Sequence, residues 1–266
     1  MRKTLFVSAV MAVGSVAQAA VLVDDNFASF APGNLVGQTG WTQQGPVSLL
    51  PVQVAGGKAT LPFIAGGTPV TGVDNQDAKR FFTTTTSGSV YLAMTLTVKQ
   101  TPATGNSSYI VALRDSTDAF DNFRFAVSAG VTPGTFVLQT RGTGQGGNPF
   151  VGAGELPLNQ TVTVIGAFNL ANPFSDWKTY VSPTSATEGS NTVYTSQTLT
   201  TGNPAGFGAL ILSQFANATT VTQAGVEFGQ VAVTTTFAEA YNAVIPEPTT
   251  LALVAGMGVF VLRRRA

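Results

Sequence analysis

Cysteine and histidine are both absent from this 266-residue chain. Without Cys there is neither a disulfide nor a thiolate metal site, so stability has to come from packing. Without His the chain lacks the usual general base near neutral pH and the usual transition-metal ligand, which weighs against most hydrolase mechanisms. Charge is scarce too, at 10% of residues. The formal balance of zero hides an asymmetry, because Arg2, Lys3, Arg263, Arg264 and Arg265 sit at the two ends. Between residues 20 and 245 there are eight basic and twelve acidic residues, 8 − 12 = −4. A weakly acidic body lacks the basic stripe that phosphate neutralisation requires, so nucleic acid is not an expected partner.

What is present is β-forming. Thr and Val are frequent, 29 Gly and 14 Pro supply turns, and Glu and Lys are few, a composition that predicts strands joined by tight turns. The clearest strand is Ser89 to Val98, where Val90, Leu92, Met94, Leu96 and Val98 share one face and Ser89, Tyr91, Ala93, Thr95 and Thr97 the other. Similar alternation marks Phe123, Phe125 and Val127, then Phe136 and Leu138, then Val162, Val164, Phe168 and Leu170. Gly56-Gly57 between Val52-Gln53-Val54 and Ala59-Thr60-Leu61 predicts a two-residue hairpin, since both turn positions accept φ > 0. Val226 and Phe228 are out of phase with Val231 and Val233, so the slip at Gly229-Gln230 predicts a bulge. Ten or more such strands predict an all-β, antiparallel two-sheet sandwich of the jelly-roll kind over residues 20–241.

The ends read differently. Met1-Arg2-Lys3, an apolar stretch from Leu5 to Val16 and then Ala17-Gln18-Ala19 have the form of a secretory signal peptide over residues 1–19, with Ala17 and Ala19 at the cleavage site. At the other end, over residues 242–266, Pro246-Glu247-Pro248 is followed by an apolar segment, 249–262, and then by Arg263, Arg264 and Arg265. Two prolines flanking a carboxylate hold the chain extended and accessible. The apolar segment makes about 21 Å of helix at 1.5 Å per residue, against a hydrocarbon thickness of about 30 Å. It predicts a single short transmembrane helix whose arginines stay on the cytoplasmic side.

This order of Pro-Glu-Pro, short apolar helix and terminal arginines resembles the PEP-CTERM sorting signal of Gram-negative bacteria. The resemblance implies export by the general secretion machinery and retention at the inner membrane by the tail. It further implies cleavage by an exosortase-type membrane enzyme that recognises Pro246, Glu247 and Pro248, and delivery to the cell surface or extracellular matrix. The body opens with Asp25-Asn26-Phe27, Gly33-Asn34-Leu35 and Gly40-Trp41, and in this it resembles the laminin-G-like, concanavalin A-like domains of exported bacterial proteins. That fold hosts both glycan-binding modules and glycoside hydrolases, and extracellular polysaccharide is the expected partner.

A glycosidase on this fold needs two carboxylates about 5–9.5 Å apart across a cleft. Glu155, Glu188, Glu227 and Glu239 are isolated from one another in sequence, so no catalytic residue is assigned and the enzyme is the alternative reading. Asp115, Asp118 and Asp121, with Asn122, cluster between two predicted strands and are candidate Ca²⁺ ligands, or equally turn-capping side chains in a solvated loop. Asp24 and Asp25 with Glu227 form a second oxygen-rich candidate, since the laminin-G-like resemblance implies that the first and last strands come together. Trp41 and Trp177 suit core packing better than stacking on sugars. The sequence thus predicts a non-enzymatic exported surface or matrix protein. An unprocessed tail anchor is a further alternative.

Overall fold

The computed structural model describes residues 20–44, 51–64, 77–115, 117, 121–142, 150–170, 176–198, 206–213 and 223–245. The expected signal peptide, with Ala17 and Ala19, lies outside the described residues. So do Asp118 and the tail carrying Pro246, Glu247, Pro248, Arg263, Arg264 and Arg265. In chain order the elements begin with β1 Val21–Asn26, a single turn of 3-10 helix at Phe27–Ser29, β2 Gly33–Asn34, β3 Trp41–Gln44, β4 Gln53–Ala55, β5 Lys58–Leu61, β6 Asp77–Thr85 and β7 Ser89–Gln100. They continue with β8 Ser107–Asp115, β9 Asp121–Ala129, β10 Thr135–Gly142, β11 Val151–Gly152, β12 Leu156–Pro157, β13 Thr161–Asn169 and β14 Asp176–Val181. A second 3-10 turn, Glu188–Ser190, precedes β15 Thr195–Thr198, β16 Phe207–Leu212, β17 Gly225–Thr234 and α1 Phe237–Val244.

Two antiparallel sheets face each other. Sheet A runs β15-β14-β13-β7-β17-β5-β4-β2, with β1 also paired to β17, and sheet B runs β11-β10-β9-β8-β16-β6-β3, with β12 also paired to β10. The alternation of β7 explains its place at the centre of sheet A: Val90, Leu92, Met94, Leu96 and Val98 all enter the main core between the sheets. From sheet B, Phe123, Phe125 and Val127 of β9 and Phe136 and Leu138 of β10 meet them. Both tryptophans are core residues, Trp41 at 2% and Trp177 at 0% exposure. Gly56 and Gly57 take φ of 57° and 74°, so β4 and β5 close on the expected two-residue turn. The ladder between β17 and β7 slips between Phe228 and Gln230, which is the expected bulge.

The outward face of β7 is covered as well. Tyr91 and Ala93 join Ile165, Ala167, Tyr180 and Ala232 in a second cluster that receives Phe237, Ala240 and Val244 of α1. The helix begins on a capping pair: the Thr236 hydroxyl accepts the Glu239 N–H at 3.3 Å and donates to the Glu239 carboxylate at 3.1 Å. Phe237 meets both Tyr91 and Tyr180 edge-on, with centroids 5.9 and 5.1 Å away. Packed structure therefore continues through Val244, past the boundary at 241 suggested by the sequence. No helix among the described residues is long and apolar enough to cross a membrane.

A carboxylate fastens the β9–β10 turn. Glu155 accepts the Thr132 N–H at 3.1 Å, the Val131 N–H and the Thr135 hydroxyl at 3.0 Å. The bonds from Thr132, with those from Val131 and Thr135, lower its pKa to about 2. A depressed folded pKa contributes stability that is present above the unfolded value of about 4.5 and lost as pH falls through about 2. Replacing Glu155 by Gln is expected to remove that part of the acid dependence, read as a flatter profile of urea midpoint against pH in this window.

Candidate functional site

β1 is pinned to the last strand, with Asp24 opposite Ala232 and Asp25 opposite Val231. Because successive strand side chains point to opposite faces, Asp24 is exposed while Asp25 is buried at 5% exposure. Asp24 accepts a hydrogen bond from Gln230 at 2.8 Å. Asp25 crosses to the other sheet, where its Oδ2 lies 2.8 Å from Nε of Arg80 on β6. Burial raises the Asp25 pKa, and the Arg80 guanidinium opposes that rise with the smaller effect.

The loop between β2 and β3 completes this edge. Gln38 accepts the Ala31 N–H at 3.0 Å and donates to the carbonyls of Ala31 and Asn34 at 2.8 and 2.9 Å, locking the loop onto the segment after β1. Arg80 donates from Nη1 to the Thr39 carbonyl at 2.7 Å. Gly40, at φ +79°, allows this approach, since a Cβ there would sit 1.6 Å from that nitrogen. The result is an open cleft of about 520 Å³ whose wall includes Asp24, Asn26, Ser29, Phe30, Gln38 and Arg80. Its chemistry is two carboxyl groups, the exposed Asp24 and the buried Asp25 beside Arg80, one guanidinium, amide and hydroxyl groups and one aromatic ring, a set suited to a polyhydroxylated ligand.

The other sequence candidates are dispersed. Glu227 does not join Asp24 and Asp25: it pairs with Lys58 at 2.8 Å and Lys99 at 3.5 Å. Burial raises the Glu227 carboxyl, but the two lysines outweigh it and hold the group below its usual value. Glu188 is gripped by two phenols, Tyr91 at 2.9 Å and Tyr180 at 2.8 Å. Burial, with the adjacent carboxylate, pushes Tyr91 up to about 12 and Tyr180 higher still. Asp115 accepts both the N–H and the hydroxyl of Thr117, at 3.1 and 2.9 Å, which is turn-capping geometry. Asp121 opens β9 opposite Arg114, and Asp118 lies outside the described residues. No group of three or more acidic side chains able to hold a metal occurs among the described residues.

One feature escaped composition altogether. Cross-strand register aligns Lys79, Ile211, Ala112, Arg124 and Arg141 in one row across β6, β16, β8, β9 and β10. Arg114 lies on the same outward face, opposite Ala209. Four of the eight body cations therefore share the outer face of sheet B, although the body as a whole is acidic.

No protein-family model matches the chain, and no curated protein matches it. Among solved structures it is similar to the CBM2 module of Lactobacillus casei BL23 phage J-1 evolved Dit, with a TM-score of 0.50 at 8% identity over 82% of this chain and 96% of that one. An endo-1,3-beta-glucanase from Streptomyces sioyaensis gives 0.49 at 11% identity over 82% and 96%, and the T. cruzi calreticulin globular domain 0.48 at 9% over 93% and 100%. At such identities the likeness to the phage module shows the two-sheet fold and nothing of its ligand.

Proposed function

We propose that this chain is a non-enzymatic exported protein of the cell surface or extracellular matrix, delivered by its C-terminal tail, whose concanavalin A-like jelly roll binds glycan in the cleft beside β1. The observation that carries the binding reading is the cleft's make-up: Phe30 supplies an apolar plane, and Asp24, Ser29 and Arg80 supply hydrogen-bonding groups around it. The CBM2 module shares the two-sheet fold, which is compatible with this reading. The cleft offers no pair of facing carboxylates of the kind glycoside hydrolysis needs. Asp24 and Asp25 both line the cleft, but they are consecutive on one strand, and Asp25 is buried and held by Arg80.

Delivery rests on the two terminal signals in the sequence. Intact masses of protein recovered from surface fractions test it. The expected species lacks residues 1–19 and everything beyond the Pro246 region. Persistence of the peptide through Arg265 in surface material overturns processing and leaves a tail anchor. Binding is tested with neutral oligosaccharides by calorimetry: Asp24→Ala is expected to weaken it at least about tenfold, the loss of a hydrogen bond to a charged group, with little change in melting temperature. Equal affinity in wild type and variant removes the cleft from the reading.

A further inference from the structure

The cleft beside β1 holds an unbalanced charge. Its wall carries three charged side chains, Asp24, Asp25 and Arg80. Two of them cancel: Asp25 is buried with its Oδ2 2.8 Å from Arg80 Nε, and Nη1 of the same guanidinium is taken up by the Thr39 carbonyl at 2.7 Å. Asp24 is left over. It is exposed, and its partner, the side-chain amide of Gln230 at 2.8 Å, is neutral and engages Oδ1 alone. Oδ2 of Asp24 has no partner among the described residues.

The neutral groups of the wall mostly serve the loop. Gln38 spends its amide on Ala31 and Asn34, Asn26 Oδ1 accepts the Ala28 N–H at 3.0 Å, and the Ser29 hydroxyl donates to the Asn26 carbonyl at 2.8 Å. Phe30 is half-buried, its ring tilted against Phe27 with centroids 5.8 Å apart, and the rest of its surface belongs to the cleft. A carboxylate and an aromatic ring in one cleft both attract a cation, the first by its charge and the second by its quadrupole. Calcium is a poor match, because it takes about six to eight oxygen ligands, several of them carboxylates, and Asp24 offers one free oxygen. A uronate or a sulfate brings the same sign of charge as Asp24. An ammonium brings the opposite sign and N–H donors for Oδ2.

We infer that the cleft selects a glycan carrying free amino groups, a polymer of non-acetylated hexosamine, whose ammonium pairs with Asp24 against the ring of Phe30. This rests on the glycan-binding reading of the cleft and narrows it to one class of sugar. N-acetylation removes the positive charge from the same nitrogen, as it does on lysine, so the acetylated and free forms of one oligomer differ in the group that Asp24 recognises.

The test is calorimetric titration of the full chain in mild detergent, buffered so that sugar amines are protonated, with three probes of equal length: a glucosamine oligomer, its fully N-acetylated form and oligogalacturonate. The glucosamine oligomer is expected to bind at least about tenfold more tightly than the acetylated one, the scale of a hydrogen bond to a charged group, and oligogalacturonate more weakly than either. The margin is expected to shrink as salt rises and to persist in a chelator. Asp24→Asn keeps the size and a hydrogen-bonding group but loses the charge, so it is expected to erase the margin while the melting temperature stays put. Equal affinity for the free and acetylated oligomers, with both weakened in Asp24→Ala, overturns the inference and leaves the cleft as a site for neutral glycan. Binding of both that Asp24→Ala leaves untouched overturns the cleft reading and the inference with it. A margin that survives Asp24→Asn places the amine elsewhere, and one that disappears in chelator belongs to a bound metal ion; either result also overturns the inference.

Discussion

Truncating Phe123 to Ala is expected to destabilise the sandwich by about 3–5 kcal/mol, the range for deleting a fully buried aromatic ring. The residue is inaccessible to solvent and sits where the two sheets join. Its ring meets Phe125 at 5.2 Å, Trp177 of β14 at 5.5 Å and Phe168 of β13 at 6.3 Å, the first two edge-on. Aromatic pairs of this geometry add about 0.5–1.5 kcal/mol each beyond area burial. The backbone of β13 comes close because position 166 is glycine: a Cβ there would lie 2.7 Å from Phe123 Cε1 and 2.8 Å from Phe125 Cζ. Gly166→Ala therefore overpacks the same spot, at a cost of about 1–3 kcal/mol. The two changes are coupled, since removing the Phe123 ring leaves room for the added methyl. Urea unfolding of both single variants and the double variant reads this as non-additivity. A double variant whose loss equals the sum of the singles shows that Phe123 does not fill the space above Gly166.

The strands were legible because their signals are local. Val90 to Val98 alternates without interruption, Gly56-Gly57 permits positive φ at both turn positions, and the phase change at Gly229-Gln230 marks a bulge wherever the strand is placed. Helix α1 had only the Thr236–Glu239 cap as a signal, within eight helical residues. Its packing comes from Tyr91 and Tyr180, which are remote in the chain, so the alternation of β7 carries no sign of the helix that covers its second face. The cleft was invisible for the same reason. Asp25, Gln38 and Arg80 are brought together only by the pairing of β1 with β17 and of β3 with β6. Likewise the opposition of Arg124 and Arg141 depends on the register of the β9–β10 hairpin, and a shift of one residue would send one of them to the core. Counting charges along the chain shows an acidic body, whereas the register sorts half of its cations onto one face.

Removing the Arg80 guanidinium, as in Arg80→Ala, is expected to cost about 3–5 kcal/mol near neutral pH, because it strands the buried Asp25 carboxylate. Arg80 also closes the β2–β3 loop through the Thr39 carbonyl, so part of the loss belongs to that loop, and pH separates the two parts. Burial already raises the Asp25 pKa above 3.8 despite the arginine, and without the arginine the rise is larger. A carboxyl with a raised folded pKa contributes stability that is present below the unfolded value and lost as pH rises through the folded one. The Arg80→Ala deficit should therefore be small in acid, where Asp25 is protonated in both states, and full at neutral pH. Urea midpoints of wild type and variant measured across that range give the difference directly. Adding Asp25→Asn to Arg80→Ala removes the stranded charge and should recover most of the neutral-pH loss while leaving the loop contribution. A deficit that is the same at every pH, and that Asp25→Asn does not relieve, means Arg80 acts through Thr39 and Gly40 alone.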